Sequence, residues 1–200
     1  MDFALKINSR GFWENDTTEG HGHDENLAKG IVNFLNREFP SIESSIYIAD
    51  IGCGDGYYTK YLIDSKFNCD GYDGNPNTPK ITNGLCYVQD FSKPLSIVES
   101  GYDVILCLEV GEHVPKEFEQ IFLDNLALFN SQIIILSWAI PNQAGDGHVN
   151  CQPNSYIISE MAKRGYELNV MSSDILRGSA SKYPNVGYWF KNTLMVFIRE

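Results

Sequence analysis

Residues 47–56 read YIADIGCGDG: an apolar run ends at Asp50, and glycines follow at alternate positions, Gly52, Gly54 and Gly56. The β-branched apolar run predicts a short buried strand. Glycines at its end indicate either a tight turn or a ligand that approaches the backbone closely. The next residues, YYTKYLIDSK (57–66), predict a helix. Strand, glycine turn and helix in this order are typical of parallel α/β folds.

Composition narrows the class of protein. The chain has 200 residues, is 43% hydrophobic and carries a formal net charge of -11. A chain of this length and apolarity is expected to form one globular domain, residues 1–200. The acidic balance argues against nucleic-acid or membrane partners, both of which need a basic face.

The cysteines and the N-terminus indicate a cytoplasmic protein. The five cysteines are odd in number and have no CxxC spacing, so neither a disulfide framework nor a zinc ribbon is expected. The first residues, MDFALKINSRGFWEN, lack the apolar segment of a signal peptide, and no apolar run is long enough to span a membrane.

Hydrophobic periodicity predicts alternating helices and strands. Helices are predicted at 25–39 (with Asp24 as N-cap), 57–66, 116–129 and 155–165, and strands at 45–50, 67–73, 85–90, 102–109, 132–139, 166–171 and 193–199. This alternation predicts a parallel sheet covered on both faces by helices, a core of residues 25–200, and an N-terminal extension of residues 1–24.

Acidic residues end four successive predicted strands. In open parallel sheets, ligands bind at the carboxyl ends of the strands. Asp50, Asp73, Asp90 and Glu109 lie there, and Trp138 ends the fifth strand. Any one carboxylate is explained by the preference of such groups for loops and helix N-termini, but four together favour a ligand site.

The glycine pattern favours a nucleoside without a diphosphate. GCGDG differs from the dinucleotide fingerprint G-x-G-x-x-G because its last glycine comes one place early, and Asp55 would repel a phosphate. Asp73, about 20 residues beyond the turn, can accept hydrogen bonds from ribose hydroxyls. Asp90 can accept one from an adenine amino group.

Four motifs in register resemble the class I S-adenosylmethionine-dependent methyltransferases: DIGCGDG, YDGNP, VQDF and LEVGEHVP. The resemblance covers residues 45–140. It implies a three-layer, Rossmann-like α/β sandwich with a seven-stranded sheet of order 3-2-1-4-5-7-6, strand 7 antiparallel. It also implies that S-adenosylmethionine is the cofactor and S-adenosylhomocysteine the product. The cofactor-binding residues that it implies are Asp50, Gly52, Gly54, Asp73, Gly74, Asn75, Asp90, Phe91 and Glu109.

Two histidines are the candidates for catalysis. The loop SWAIPNQAGDGHVNCQ (137–152) resembles the loop after strand five in methyltransferases of small molecules and glycans. His148 in this loop is expected either to take a proton from the acceptor or to hydrogen-bond a backbone carbonyl. His113 lies beside the cofactor by its position in the family, and there orienting the helix start at Pro115 is favoured over catalysis.

The remaining candidates are aromatic and histidine residues around the expected site. In the family, N-terminal extensions often close over the ligands, which makes Trp13, His21 and His23 candidates for substrate or lid contacts, together with Trp138. A metal bound by His21, His23, His148 and Cys151 has permissible ligand chemistry, but nothing fixes its geometry, so no metal is expected.

The function predicted is in-line methyl transfer from S-adenosylmethionine to a small-molecule acceptor, such as a sugar or another hydroxyl compound. The alternatives are an oxidoreductase that binds an NAD-type dinucleotide, a related nucleoside-using transferase such as an aminopropyl transferase, and a non-catalytic adenosylmethionine-binding module. The incomplete dinucleotide fingerprint speaks against the first alternative and the intact motifs against the last.

Overall fold

The computed structural model describes residues 5–40, 46–96, 101–182 and 187–200. The helices are α1 (Glu25–Glu38), α2 (Tyr57–Asp64), α3 (Thr78–Ile81), α4 (Glu119–Leu128), α5 (Asn154–Ala162), α6 (Val170–Ser179) and α7 (Phe190–Thr193). The strands are β1 (Tyr47–Ile51), β2 (Asn68–Asp73), β3 (Tyr87–Val88), β4 (Val104–Cys107), β5 (Ile133–Ser137), β6 (Tyr166–Leu168) and β7 (Leu194–Arg199). Residues 1–4 of the predicted extension and Ser45 of the first predicted strand lie outside the described residues.

The seven strands form one sheet with the order β3-β2-β1-β4-β5-β7-β6. Strands β1 to β5 pair in parallel, and β7 pairs antiparallel with both β5 and β6. This topology confirms the predicted fold class, including the antiparallel seventh strand. The reversal of strand order between β1 and β4 places a crevice at their carboxyl ends, which is where open sheets of this kind bind ligands.

Each face of the sheet is covered by its own set of helices. Alternate residues of the central strands point to opposite faces, so Ile48 and Val104 pack against α1, α2 and α6, while Ala49 and Ile105 pack against α4 and α5. Because both faces are buried, β4 and β5 contain only buried residues. The three layers hold the carboxyl edge of the sheet as one rigid platform.

The C-terminal third differs from the prediction. The strand predicted over 166–171 ends at Leu168, and helix α6, which was not predicted, begins at Val170. Asn169 causes this change, because its side-chain oxygen accepts a hydrogen bond from the backbone N–H of Ser172 and so caps the new helix. The apolar residues Val170 and Met171 look like a strand continuation in the sequence, but in the structure both are exposed on the first turn of α6.

Asp24 caps α1, as predicted, and also ties this helix to the C-terminal part of the chain. Its Oδ1 accepts hydrogen bonds from the backbone N–H groups of Asn26 (3.0 Å) and Leu27 (3.2 Å) and from the Ser181 hydroxyl (2.7 Å). Its Oδ2 accepts a hydrogen bond from the Ser181 backbone N–H at 2.6 Å. The carboxylate is fully buried. One side chain therefore satisfies a helix N-terminus and a buried amide 157 residues away.

Replacing Asp24 by alanine should lower the free energy of unfolding by about 2–4 kcal/mol, because it removes a cap and leaves the buried Ser181 amide without an acceptor. Urea denaturation followed by circular dichroism measures this loss. Ser181→Ala is the matched control, since it removes only a hydroxyl and should cost about 1 kcal/mol. Equal losses in the two variants would contradict the double role of Asp24.

Candidate active site

A cavity of about 360 Å³ opens at the carboxyl ends of β1, β2 and β4. This volume is in the range of small-molecule and cofactor sites. The residues that line it come from the glycine turn, from the ends of the strands, from the N-terminal segment (residues 5–24) and from the loop after β5.

The glycine turn after β1 forms the floor of the cavity. Gly52, Gly54 and Gly56 all have positive φ, at 74°, 57° and 80°. Such angles disfavour other residues, so a tight turn accounts for all three glycines. Gly54 also lines the cavity, and a Cβ there would lie 2.5 Å from the His21 ring on the opposite wall. The tight turn is therefore observed, and the close approach of a ligand to Gly54 stays a prediction.

Asp73 at the end of β2 holds this turn in place. Its Oδ2 accepts a hydrogen bond from the Gly54 N–H at 3.0 Å, and its Oδ1 accepts one from the Asn75 N–H at 2.8 Å. Burial raises the pKa of Asp73, while these backbone donors oppose the shift. Gly74 and the buried Asn75 complete this wall, and Asn75 Nδ2 donates to the carbonyl of Asn15 in the N-terminal segment.

Asp90 and Phe91 line the cavity beyond the end of β3. Asp90 Oδ1 accepts hydrogen bonds from the backbone N–H and the hydroxyl of Ser92, and its Oδ2 lies 3.0 Å from the Lys93 ammonium. The pKa of Asp90 is lowered, because these donors outweigh the opposing effect of burial. Arg10 from the N-terminal segment donates to Ser92 Oγ at 2.9 Å and closes this end of the cavity.

Asp50 lies beneath the turn, at 3% exposure. Its Oδ2 accepts a hydrogen bond of 2.6 Å from the Thr59 hydroxyl of α2. Burial raises the pKa of Asp50 to about 7, against the opposing effect of this hydrogen bond. A carboxyl group in this state changes charge near neutral pH, directly below the cavity.

The N-terminal segment lies across the cavity. Trp13 contacts both His21 and His113, with ring centroids 5.0 Å and 6.0 Å away. His23 stacks on Tyr57 at 4.2 Å, and its Nε2 lies 3.0 Å from Asp55 Oδ2. Trp13, His21 and His23 all line the cavity, so they form its outer wall.

The two candidate catalytic histidines lie together in the wall facing the glycine turn. The rings of His113 and His148 are 5.0 Å apart and nearly perpendicular. His113 Nδ1 lies 3.2 Å from the Gly147 carbonyl, and His148 Nδ1 lies 3.2 Å from the Gln143 carbonyl. Burial, with a smaller contribution from the charge of His148, lowers the pKa of His113 to about 4. His113 is therefore neutral at physiological pH.

Two glutamates underlie these histidines. Glu109 has a φ of 55°, a backbone conformation that costs a non-glycine residue of order 1–3 kcal/mol and is concentrated at functional sites. Its carboxylate accepts hydrogen bonds from Gln143 Nε2 (2.8 Å) and from the Thr193 hydroxyl (3.3 Å). Glu112 is fully buried. Burial, together with the negative charge of Glu109, raises the pKa of Glu112 well above its usual range.

Trp138 is the one predicted site residue that does not line the cavity. It is fully buried against Phe122 and Gly111, and its Nε1 donates to the Asn150 carbonyl at 2.7 Å. Its role is therefore to support the loop that carries His148 from below. The alternation of faces explains this, because the residue follows β5 on the side that packs against α4.

The sequence analysis did not identify three residues that the structure places at the site: Glu112, Gln143 and Arg10. Glu112 could have been proposed from the sequence, because it lies three residues after Glu109 and immediately before His113 in the motif LEVGEHVP. No comparable pattern marks Gln143 or Arg10, whose positions depend on how their loops fold back.

Comparison with known proteins identifies the family. Residues 23–127 match the model of a family described as Methyltransferase domain. The match spans more than half of the chain, so this protein belongs to that family. No curated relative matches the chain.

Solved structures with the same fold include several methyltransferases. Magnesium protoporphyrin IX methyltransferase (ChlM) from Synechocystis PCC 6803, with bound SAH, aligns with a TM-score of 0.63 and 16% identity over 86% of this chain and 82% of that one. The sugar N-methyltransferase KedS8 from Streptoalloteichus sp ATCC 53650 aligns with a TM-score of 0.63 and 12% identity over 88% and 87%. CalS10, an amino pentose methyltransferase from Micromonospora echinaspora with SAM bound, aligns with a TM-score of 0.60 and 12% identity over 86% and 90%. The fold is thus that of the class I S-adenosylmethionine-dependent methyltransferases, as the four motifs predicted.

The search for membrane-spanning helices was negative. In the ranges that the structure describes, every helix is too short or too polar to cross a bilayer.

The raised pKa of Asp50 predicts how the free energy of unfolding depends on pH. An unfolded aspartate has a pKa near 3.9, so between about pH 4 and 7 the folded protein retains a proton that the unfolded chain loses. Asp50 therefore reduces the free energy of unfolding as the pH rises through this window. Asp50→Asn keeps an acceptor for Thr59 and removes the titration. Its stability relative to the wild type should rise between pH 4 and 7, by at most about 1.4 kcal/mol per pH unit, and stay level above.

Urea denaturation at several pH values measures this difference. Asp70→Asn is the matched control, because Asp70 lies on the neighbouring strand β2 and does not line the cavity. A difference between Asp50→Asn and the wild type that does not vary with pH would show that Asp50 titrates normally.

Proposed function

We propose that this protein is an S-adenosylmethionine-dependent methyltransferase that acts on a small-molecule acceptor, with a hydroxyl compound such as a sugar as the favoured class. The observation that carries the proposal is the single cavity in which the glycine turn, Asp73 and Asp90 face a wall formed by His113 and His148. One side of this cavity suits a nucleoside cofactor, and the other suits a group that must lose a proton.

The cofactor side has the chemistry that S-adenosylmethionine requires. Asp73 lines the cavity with its carboxyl group held by two backbone donors, in a position to accept hydrogen bonds from ribose hydroxyls, and the lowered pKa of Asp90 keeps that group ionised near the expected position of the adenine. Gly54, whose positive φ shapes the turn, lines the cavity where the methionine part of the cofactor is expected. The family membership and the methyltransferase neighbours with SAM or SAH bound support this assignment.

The acceptor side has the groups that methyl transfer to an oxygen requires. Transfer itself needs alignment of the acceptor oxygen with the methyl group and the sulfur, and removal of the hydroxyl proton as the bond forms. His113 is neutral, and both histidines expose a ring to the cavity. The outer wall of Trp13, His21 and His23 lies across the cavity and would limit the access of water to the reacting groups.

Calorimetric titration with S-adenosylmethionine, S-adenosylhomocysteine and NAD tests which of these compounds the protein binds. Binding of the first two without NAD is expected, whereas binding of NAD alone would establish the oxidoreductase alternative. A screen of metabolite pools for methylated products by mass spectrometry then tests activity and identifies the acceptor. Tight cofactor binding without any product would favour the non-catalytic module.

Asp73→Ala should weaken the binding of S-adenosylmethionine at least tenfold, because charge-assisted hydrogen bonds to the ribose contribute roughly 1.5–3 kcal/mol each. Calorimetry measures the dissociation constant. Asp70→Ala is the matched control, since this aspartate on the same strand hydrogen-bonds Tyr102 and does not line the cavity. An unchanged constant in Asp73→Ala would reject the ribose role.

His148→Asn should leave S-adenosylmethionine binding intact and lower turnover by about 10²-fold or more, because the acceptor proton loses its route of removal. The melting temperature is measured in parallel. If turnover falls only in proportion to the amount of folded protein, His148 is structural. If both melting temperature and turnover are normal, the residue takes no part and His113 is the next to test.

A further inference from the structure

We propose that Glu112, His113 and His148 form a binding site for one divalent transition-metal ion at the acceptor side of the cavity. The three side chains each offer a ligand atom, and these atoms lie within 4.8 Å of one another. Among the described residues, no other three histidine, cysteine, aspartate or glutamate side chains place their ligand atoms this close to one another.

Glu112 supplies the main argument. Its side chain is fully buried, and neither carboxylate oxygen has a hydrogen-bond partner among the described residues. The backbone N–H groups of Glu112 and Ala139 lie near it and favour its charged form, and the Glu109 carboxyl group lies near it and favours its neutral form, but none of these groups reaches hydrogen-bond geometry. A buried carboxylate without partners costs several kcal/mol, and proteins tolerate such groups where a cation or a proton compensates the charge.

The histidines are arranged as ligands. Each Nδ1 faces a backbone carbonyl, which can only accept a hydrogen bond, so each Nδ1 carries the proton. The Nε2 atom of each ring then keeps its lone pair. Orientation of a ligand histidine by a carbonyl at its other nitrogen is the usual second-shell arrangement at metal sites.

The distances fit one ion. His148 Nε2 lies 3.9 Å from Glu112 Oε1. An ion with bonds of about 2.0–2.2 Å spans such a gap, and small rotations bring in the third ligand. The backbone fixes the two segments to each other, because Val149 N–H and Asn150 N–H both donate to the Glu112 carbonyl at 2.9 Å.

The ligand set defines the class of ion. Two imidazoles with a carboxylate suit Mn²⁺, Fe²⁺, Co²⁺ or Zn²⁺ better than Ca²⁺ or Mg²⁺, which prefer oxygen alone. Glu109 lies beside Glu112 and adds a second negative charge. His21 and His23 do not belong to the cluster, because they lie in the N-terminal segment against Trp13 and Asp55.

The role of the ion in catalysis rests on the proposed methyltransferase function. The existence of the metal-binding site does not depend on that function. The ion would lower the pKa of an acceptor hydroxyl bound to it, and the hydroxyl would release its proton to water at the open side of the cavity. Its oxygen forms a bond to the methyl carbon as the carbon–sulfur bond breaks, and that electron pair remains on sulfur, which becomes a neutral thioether. His148 would then act as a ligand rather than as the base, and turnover would depend on metal.

The test is a titration of the full-length protein, stripped with a chelator, with MnCl₂ alone. Electron paramagnetic resonance measures free Mn²⁺, and the melting temperature is recorded in the same samples. One Mn²⁺ per chain and a rise in melting temperature are expected. Glu112→Gln and His148→Gln should each weaken binding at least tenfold and abolish the thermal shift.

Two variants serve as controls. His21→Gln changes a histidine of the same cavity outside the cluster, and Glu160→Gln changes a buried glutamate that is paired with Lys163 and Arg164. Both should bind Mn²⁺ like the wild type. Metal-free Glu112→Gln should melt at or near the wild-type temperature, because an uncharged amide of almost the same shape replaces a buried carboxyl group whose pKa is already raised, so its failure to bind will not reflect failure to fold.

Three results would overturn the proposal. The first is no saturable binding of Mn²⁺, or of Zn²⁺ in a parallel titration, up to millimolar concentration. The second is binding that survives both cluster variants. The third is binding lost in His21→Gln, which would place the ion at the N-terminal segment instead. None of these readouts needs the cofactor or an acceptor, so they remain separate from failure of the methyltransferase proposal.

Discussion

The burial of both faces of a parallel sheet is the constraint on which this structure depends. Strands β1 to β5 satisfy their backbone groups with one another, and the central strands β4 and β5 contain only buried residues. In the central strands β1, β4 and β5, buried charged and hydroxyl side chains lie only at or next to the carboxyl end. Parallel strands have their carboxyl ends at the same edge of the sheet. Residues that are far apart in the sequence therefore lie near one another at this edge: Asp50, Asp73, Glu109 and Ser137. The topology thus concentrates the chemistry of the chain at one edge.

Placing several carboxyl groups at one edge of the sheet destabilises the protein by burial and mutual repulsion, and the hydrogen-bond donors that compensate this differ from one carboxyl group to the next. Asp73 and Asp90 are satisfied by backbone or side-chain donors, and Asp90 also lies beside a lysine. Glu109 receives donors from Gln143 and Thr193. Asp50 has one hydroxyl donor, and Glu112 has none among the described residues. Glu112, beneath the histidine wall, is therefore the least satisfied of these carboxyl groups.

Much of this arrangement could be predicted from the sequence, and the exceptions have physical causes. The alternation of helices and strands follows from helical periodicity and from the nearly continuous apolar runs of strands that are buried on both faces. The strand order follows from the resemblance of the four motifs to the class I methyltransferases. Helix α6 was missed because its first residues are apolar and exposed, and only the Asn169 cap shows where it begins. Trp138 was predicted to lie at the site because it follows β5. A position at the end of a strand does not determine whether the side chain points into the cavity or toward the helices on one face of the sheet. Glu112 could have been noticed from its place in the motif LEVGEHVP, but its burial without a hydrogen-bond partner is visible only in three dimensions.

The charge of the cavity also bears on how a methyl-transfer cycle would proceed. S-adenosylmethionine carries a sulfonium cation, and its product S-adenosylhomocysteine is a neutral thioether. Carboxylates below and beside the cavity attract the first more strongly than the second, since the interaction of charges is large where water is excluded. Asp50, with a pKa of about 7, can respond to this change by binding or releasing a proton. The same buried acids that destabilise the empty protein therefore favour entry of the charged cofactor and departure of the neutral product. A cation held by Glu112 would confine this effect to the cofactor side, because it neutralises the carboxylates next to the acceptor.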